Sequence, residues 1–300
     1  MVNTKNQKTQ NKIYFVVPNR HWGTYFLRGV QVSKALKKAG ISTQVIAPKS
    51  LLKVKNGIVV IVKHITGEIC LSAKENNNTV IYDLLDGYEQ DLGQIFAEGV
   101  IDGIILSTDA SKSILSLPKA LPHTTIYHHI DPRLEKIVDN SKQAAVLNMC
   151  YIGNLPEHTN NVSFTDRIDT LAVIETNTRK ARNNNWMKQV SPYNCHYAVR
   201  TDTLQKKAKP LIKVGVAAVC RANMIINRSN AAAELLGEEY PFYTGDDFDS
   251  VMNALIYAQE VFGQKEWNRG LERMTYLKDR LSLPKIIHDY IDFFKQWTRR

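Results

Sequence analysis

"AVLNMCYIGN" occupies residues 145–154 and decides how the chain is organised. It is an apolar run closed by a glycine turn, the pattern of a buried first strand in an open sheet. A whole series of such runs precedes it. They are "KIYFVVP" (12–18), "STQVIAP" (42–48), "GIVVIVKHI" (57–65), "TVIYDLLD" (79–86), "DGIILST" (102–108) and "TTIYHHI" (124–130). Helical segments alternate with them. Residues 24–40 place Phe26, Val30, Val32, Ala35 and Leu36 at helical spacing, with Gly40 as the expected C-cap. Further helices are expected near 67–76 and 88–97, and another opens at Asp109. After residue 154 the alternation resumes with "DTLAVIET" (169–176), "YNCHYAVR" (193–200), "ANMIINR" (222–228) and a short "EEYPFYT" (238–244). From Asp246 onward the pattern is mostly helical. Short buried strands, each paired with a helix, imply parallel βαβ units.

Two such series predict an α/β chain of two Rossmann-like domains. The 300 residues suit two domains of about 150 each. The expected division is a disordered basic tail (1–11), a first domain (12–135), a second domain (145–285) and a C-terminal helix (286–300) able to pack back on the first domain. The boundary is set near 131–144, where "DPRLEKIVDNSKQA" offers no core-like apolar run.

Hydrophobic residues make up 44% and charged residues 23%, the ordinary globular range. No run approaches the ~20 apolar residues that span a bilayer, and the polar start lacks the apolar core of a secretion signal. A cytoplasmic protein is expected, with the inner face of the membrane as an alternative station. Cys70, Cys150, Cys195 and Cys220 match no zinc or CxxC spacing and read as buried free thiols. The net charge is +10, but Lys5, Lys8 and Lys12 carry +3 at one end and Lys295, Arg299 and Arg300 another +3 at the other. Less than half of the excess therefore belongs to the folded body, a weak basis for a nucleic-acid groove. The basic tails are either solvated or held near an anionic membrane surface.

Two Rossmann-like halves suggest a nucleotide or phosphate ligand, yet GxGxxG and GxxxxGK[ST] are both absent. What remains is diphosphate binding by helix N-termini and basic side chains. Arg200 ends one strand, Lys209 and Lys213 lie in "KPLIK", Arg228 ends another strand, and Ser229-Asn230 open a helix. The plainer reading puts Lys209 and Lys213 on a solvated helix face. Asp247-Phe248-Asp249 is a DxD, but it stands where acids ordinarily meet a helix N-terminus, and no metal site and no cofactor are expected. "RKARNNNWMK" (179–188) reads as a solvated helix with Trp186 turned inward.

Residues 209–242, "KPLIKVGVAAVCRANMIINRSNAAAELLGEEYPF", resemble the donor-binding region of GT-B glycosyltransferases, of the kind that build bacterial surface polysaccharides. "CYIGN" resembles the first strand and glycine turn of their C-terminal domain. "YDLLD" and "YHHIDPR" resemble the end of a central strand and the strand entering the linker. The resemblance implies two Rossmann-like domains facing across a cleft, the first for an acceptor and the second for a nucleotide-sugar. It implies sugar transfer to a glycan or lipid-linked acceptor without a metal. One departure stands out: the glutamate pair by which many retaining members hold the ribose is missing from "VAAVCRAN", and Glu234 comes later.

Negative charge develops on the departing diphosphate, so preorganised donors are needed. Arg200, Lys209 and Lys213 are the candidates, with Gly153, Asn154, Arg228, Ser229, Asn230 and Glu234 as further donor-binding residues. Leu236 and Tyr240 are either near the base or packed in the core. The acceptor's general base is sought among His21, Asp86 and His129, with Asp83 and His128 as alternates. Asp83 and Asp86 read equally as turn or cap residues. Strand alternation at 128–129 would send the two histidines to opposite faces. Arg20, Trp22 and Arg28 either shape the acceptor site or, for Arg28, lie solvated on a helix. A binding protein without turnover is the rival reading, and a nucleic-acid-binding protein the third.

Overall fold

The computed structural model describes residues 12–17, 23–64, 66–85, 92–113, 115–153, 168–176, 185–200 and 210–298. The chain opens with β1 (Ile13–Val16), then a π-helical turn (Tyr25–Gln31) that runs into α1 (Val32–Lys38). Next come β2 (Thr43–Ile46), β3 (Ile58–Val62), α2 (Gly67–Glu75), β4 (Thr79–Asp83), α3 (Leu92–Ala97) and β5 (Gly103–Leu106). A 3-10 turn (Asp109–Ser113), β6 (His123–Thr125) and α4 (Pro132–Ile137) follow. Beyond them lie β7 (Met149–Ile152), β8 (Leu171–Ile174), α5 (Asn185–Gln189), β9 (Cys195–Tyr197), α6 (Ile212–Cys220) and β10 (Asn223–Asn227). The last elements are α7 (Asn230–Leu236), β11 (Tyr243–Thr244), α8 (Phe248–Glu260), α9 (Lys265–Arg280) and α10 (Leu283–Thr298).

The strands form two sheets, and every pairing is parallel. The first has the order β2-β1-β3-β4-β5-β6 and the second β11-β10-β9-β7-β8. β3, β5 and β7 are buried along their whole length, as a parallel sheet covered on both faces requires. Among the described residues no helix is long and apolar enough to cross a membrane. The described cysteines are free and buried.

The residues fall into two compact units. One takes those up to Ser107, then Leu115–Ile126, then those from Ile286 onward; the other takes Thr108 to Ser113 and Tyr127–Lys285. The change of unit thus falls at Ile126–Tyr127, ahead of the 131–144 stretch. That stretch holds a real helix: Asp131 caps α4 by accepting from the Arg133 N–H, and Leu134 is buried in the second unit's core. Only Leu134, Ile137 and Val138 pack on the core there, too few and too spaced to form an apolar run.

In the first unit the π-helical turn departs from the expected periodicity. Its wider i→i+5 turn rotates the face, leaving Phe26 45% exposed and Arg28 fully buried. Arg28 is neither solvated nor exposed to a ligand. Its Nη2 donates to the Ile126 carbonyl at 2.7 Å, and its Nε lies 3.3 Å from Asp83 Oδ2. Tyr290 of α10 donates its hydroxyl to the same carboxylate oxygen at 3.0 Å, and its ring lies 5.6 Å from the Arg28 guanidinium carbon. Burial pushes the Asp83 carboxyl up, while Arg28 and then Tyr290 draw it back down. This cluster ties β4, the chain after β6 and α10 to one cation. α10 also closes against β5, where a Cβ on Gly103 would stand 2.9 Å from the Trp297 ring.

In the second unit Tyr240 is buried. Its hydroxyl accepts from the Met224 N–H at 2.7 Å and donates to the Met224 carbonyl at 3.1 Å. That satisfies the edge of β10 before β11 joins it at Ile226. Leu236 is also core, at 2% exposure.

Removing one member of a buried ion pair costs about 3–5 kcal/mol, because the other is left uncompensated. Arg28→Met is expected to lose that much stability in urea unfolding. Arg28→Met combined with Asp83→Leu is expected to recover most of it.

Candidate functional site

In the second sheet the chain steps from β7 outward to β8, then returns to β9 on the other side of β7. The carboxyl ends of β7 and β9 therefore flank the point where the strand order reverses, the place where open α/β sheets hold ligands. β7 ends in Gly153, whose φ is +158° and where any Cβ would collide with the Tyr151 hydroxyl. Only glycine lets the backbone turn that closely. β9 leads to Arg200, and the following helix α6 brings Lys213 in its first turn.

Arg200 is placed by its backbone. Its N–H donates to Asn227 Oδ1 at 2.6 Å, and Asn227 in turn donates to the Gly245 carbonyl at 3.2 Å. The guanidinium is paired with no carboxylate among the described residues. Burial holds it below the usual arginine range, and the neighbouring Tyr151 hydroxyl opposes that shift. The Lys213 stem is partly exposed, but its Nζ is buried without a hydrogen-bond partner. That Nζ sits 3.8 Å from the centroid of the Tyr151 ring, a contact that offsets only part of a lost hydration shell. Burial, then the Arg200 charge, holds the amine well below the ordinary lysine value, while Cys150 opposes them weakly. His196 of β9 is buried with both ring nitrogens unpartnered, and burial followed by Lys213 pushes it down to about 3. The imidazole is thus neutral and adds no charge. α6 begins without a side-chain cap and without an acid in its first turn, so its orphan N–H groups add to the positive potential.

The other expected donor residues are engaged locally. Arg228 is exposed and ion-paired with Glu238. Ser229 caps α7, its Oγ accepting from the Ala232 N–H at 3.2 Å, and Asn230 is exposed on the first turn. Glu234 takes the N–H groups of Asp109 and Ala110 at 2.8 and 2.9 Å and the Tyr127 hydroxyl at 2.5 Å. Its carboxylate anchors the 3-10 turn at 109–113. Asp247 caps α8 by accepting from the Ser250 N–H at 2.8 Å, so the DxD stands as a helix start. Trp186 packs against the core.

His21, Asp86, Asn154 and Lys209 lie outside the described residues, as do Arg20, Trp22 and the tail 1–11. His129 is 2% exposed and His128 8%. Their rings stack at 5.6 Å rather than pointing to opposite faces. β6 stops at Thr125, so strand alternation no longer governs them. Tyr151, His196 and Asn227 were missing from the sequence reading. His196 stands beside Cys150, and Tyr151 beside Tyr197, only through the pairing of β7 with β9. Asn227 stands beside Arg228 at a strand end, a position that would have marked it.

Two stability tests follow from this geometry. In the unfolded chain Lys213 titrates near 10.4, above its folded value, so unfolding takes up protons between the two and stability rises with pH across that window. Lys213→Met is expected to be more stable than the native chain at pH 6, by about 1 kcal/mol or more, with the gain shrinking toward pH 9 in thermal unfolding. Glu234→Gln leaves a backbone donor of the 109–113 turn poorly matched and is expected to cost about 1–3 kcal/mol in urea unfolding.

The sequence matches no described protein family, and no curated protein is similar to it. Solved structures nevertheless share its fold. A glycosyltransferase from Rickettsia africae ESF-5 gives a TM-score of 0.68 at 12% identity, over 96% of this chain and 98% of that one. Anabaena Alr3699/HepE, solved with UDP and glucose, gives 0.66 at 10% identity, over 95% and 100%. Sucrose-phosphate synthase from Thermosynechococcus elongatus gives 0.63 at 11%, over 95% and 98%. At such identities the likeness is one of architecture: the two-sheet α/β fold of the GT-B glycosyltransferases, expected from residues 209–242, is the fold of this chain.

Proposed function

We propose that this protein is a glycosyltransferase that moves a sugar from a nucleotide-sugar to a glycan or lipid-linked acceptor. The observation that carries the reading is a pair of basic side chains, the partly buried Arg200 and the buried Lys213 Nζ, without a carboxylate among the described residues at the strand-order reversal. A basic group left without an acceptor is costly to bury, and a diphosphate at this place would supply negative charge and oxygen acceptors to both. Charge grows on that diphosphate as the glycosidic bond breaks, so the same two groups stabilise the transition state more than the ground state. The Gly153 turn would bring backbone close to the phosphates, and the open first turn of α6 adds N–H donors. The shared fold with HepE, which was solved with UDP and glucose, supports a nucleotide-sugar as the donor. Metal-independent transfer is part of the proposal, since the phosphate charge would be met by these cations.

A binding protein without turnover is the second reading. The observation in its favour is Glu234, whose carboxylate is spent on the 109–113 turn and so supplies no ribose contact in this arrangement.

Screening UDP-, GDP-, ADP- and CMP-sugars by thermal shift identifies the donor: at about 100 times its Kd a ligand adds ~2.7 kcal/mol of stability. With that donor, Arg200→Ala and Lys213→Ala are each expected to cut kcat by about 100-fold or more. Native kcat in both variants would remove the assignment, and binding without transfer across a broad acceptor panel would favour the second reading.

A further inference from the structure

We propose that binding of a diphosphate at this site draws a proton from solvent onto the Lys213 amine, so that the site becomes fully cationic only when it is occupied. The inference rests on the reading of this crevice as a diphosphate site and adds how its charge is regulated. The Lys213 Nζ is buried and has no hydrogen-bond acceptor, although an ammonium carries three donors. Among the described residues, the groups that face it are few. From β7 come Tyr151, whose ring it touches, and Cys150. β9 presents His196, both of whose ring nitrogens lack partners, and the chain beyond β9 presents Arg200. None of these is a carboxylate.

Among these neighbours Arg200 dominates, and Cys150 opposes it only weakly. Arg200 is a fixed positive charge and repels a second one. His196 is held neutral by burial. Burial pushes the Tyr151 hydroxyl and the Cys150 thiol up, so both remain uncharged near neutral pH. In such surroundings desolvation and a like charge favour the neutral form of the amine. A diphosphate reverses both causes. It brings negative charge beside Arg200 and Lys213, and it offers the oxygen acceptors that Nζ lacks. The step is a simple protonation: the amine lone pair takes a proton from water or buffer, and the N–H so formed donates to a phosphate oxygen.

The empty site would then hold one fixed cation beside a neutral amine, which lowers the cost of keeping it empty. Affinity in turn becomes sensitive to pH in a range where neither the nucleotide nor Arg200 titrates.

Isothermal titration calorimetry of the full chain at pH 8 tests this, in three buffers of different ionisation enthalpy. The probes are UDP, GDP, ADP and geranyl diphosphate, whose terminal phosphates (pKa about 6) are already ionised at that pH. The expected result is uptake of about one proton per diphosphate bound, with Kd rising about tenfold per pH unit between the amine's titration in the empty site and its titration in the occupied one. Lys213→Arg carries a permanent charge and is expected to bind with no proton uptake. Binding of a diphosphate to the native chain without proton uptake from pH 6.5 to 9 would overturn the inference and leave the site reading intact. Failure of all four probes to bind would overturn both. Uptake with geranyl diphosphate alone would uphold the inference and remove the nucleotide donor. If Lys213→Arg does not fold, 15N NMR of lysine-labelled native protein decides. A Lys213 Nζ signal that passes from amine to ammonium on saturation with the binding probe supports the proposal, and an ammonium signal in both states ends it.

Discussion

A cation taken out of water must be given an anion or pay for its absence. The two units answer that constraint in opposite ways. In the first, Arg28 is wholly buried and meets Asp83, the Ile126 carbonyl and the Tyr290 ring. In the second, Arg200 and Lys213 are drawn in beside each other with no acid among the described residues to receive them. A satisfied charge cluster fixes structure; the unsatisfied one, placed where a parallel sheet opens, is where the proposed function puts the diphosphate.

The satisfied cluster explains how a distant segment becomes part of the first unit. α10 is more than two hundred residues from β1 in sequence, yet Tyr290 bonds to the carboxylate that holds Arg28. Phe15 meets the Tyr290 ring edge-on at 6.2 Å, and Trp297 lies on the glycine of β5. A C-terminal helix and an N-terminal sheet are thereby joined through one ionic core. Asp83, which ends a buried strand in an acid, thus has a structural role.

The unsatisfied cluster depends on topology. Tyr151, His196, Arg200 and Lys213 come together because β9 pairs with β7 rather than with β8. Asn227 then fixes the exit of β9 by bonding to the Arg200 backbone, and Gly153 clears room beside Tyr151. Glu234, on the next helix, is withdrawn from ligand duty by the 109–113 turn and Tyr127. Under the proposed function, the basic and backbone donors left among the described residues would meet phosphate rather than a hydroxyl-bearing ribose.

The two series of short apolar strands, the glycine after "CYI" and the helix starts at Ser229 and Asp247 could all be read from the sequence, because each rests on local spacing or on a side chain bonding to its own helix start. Arg200 and Lys213 were legible as basic residues at a strand end and a helix start. That they are buried and lack an acid was not, because burial and pairing depend on which strands become neighbours. The same holds for Arg28, which a π-helical turn rotated inward, and for the two histidines, whose strand stopped early. Periodicity is a property of one segment, whereas the partner of a charge is chosen by contacts between segments far apart in the chain, and only the folded structure makes those contacts.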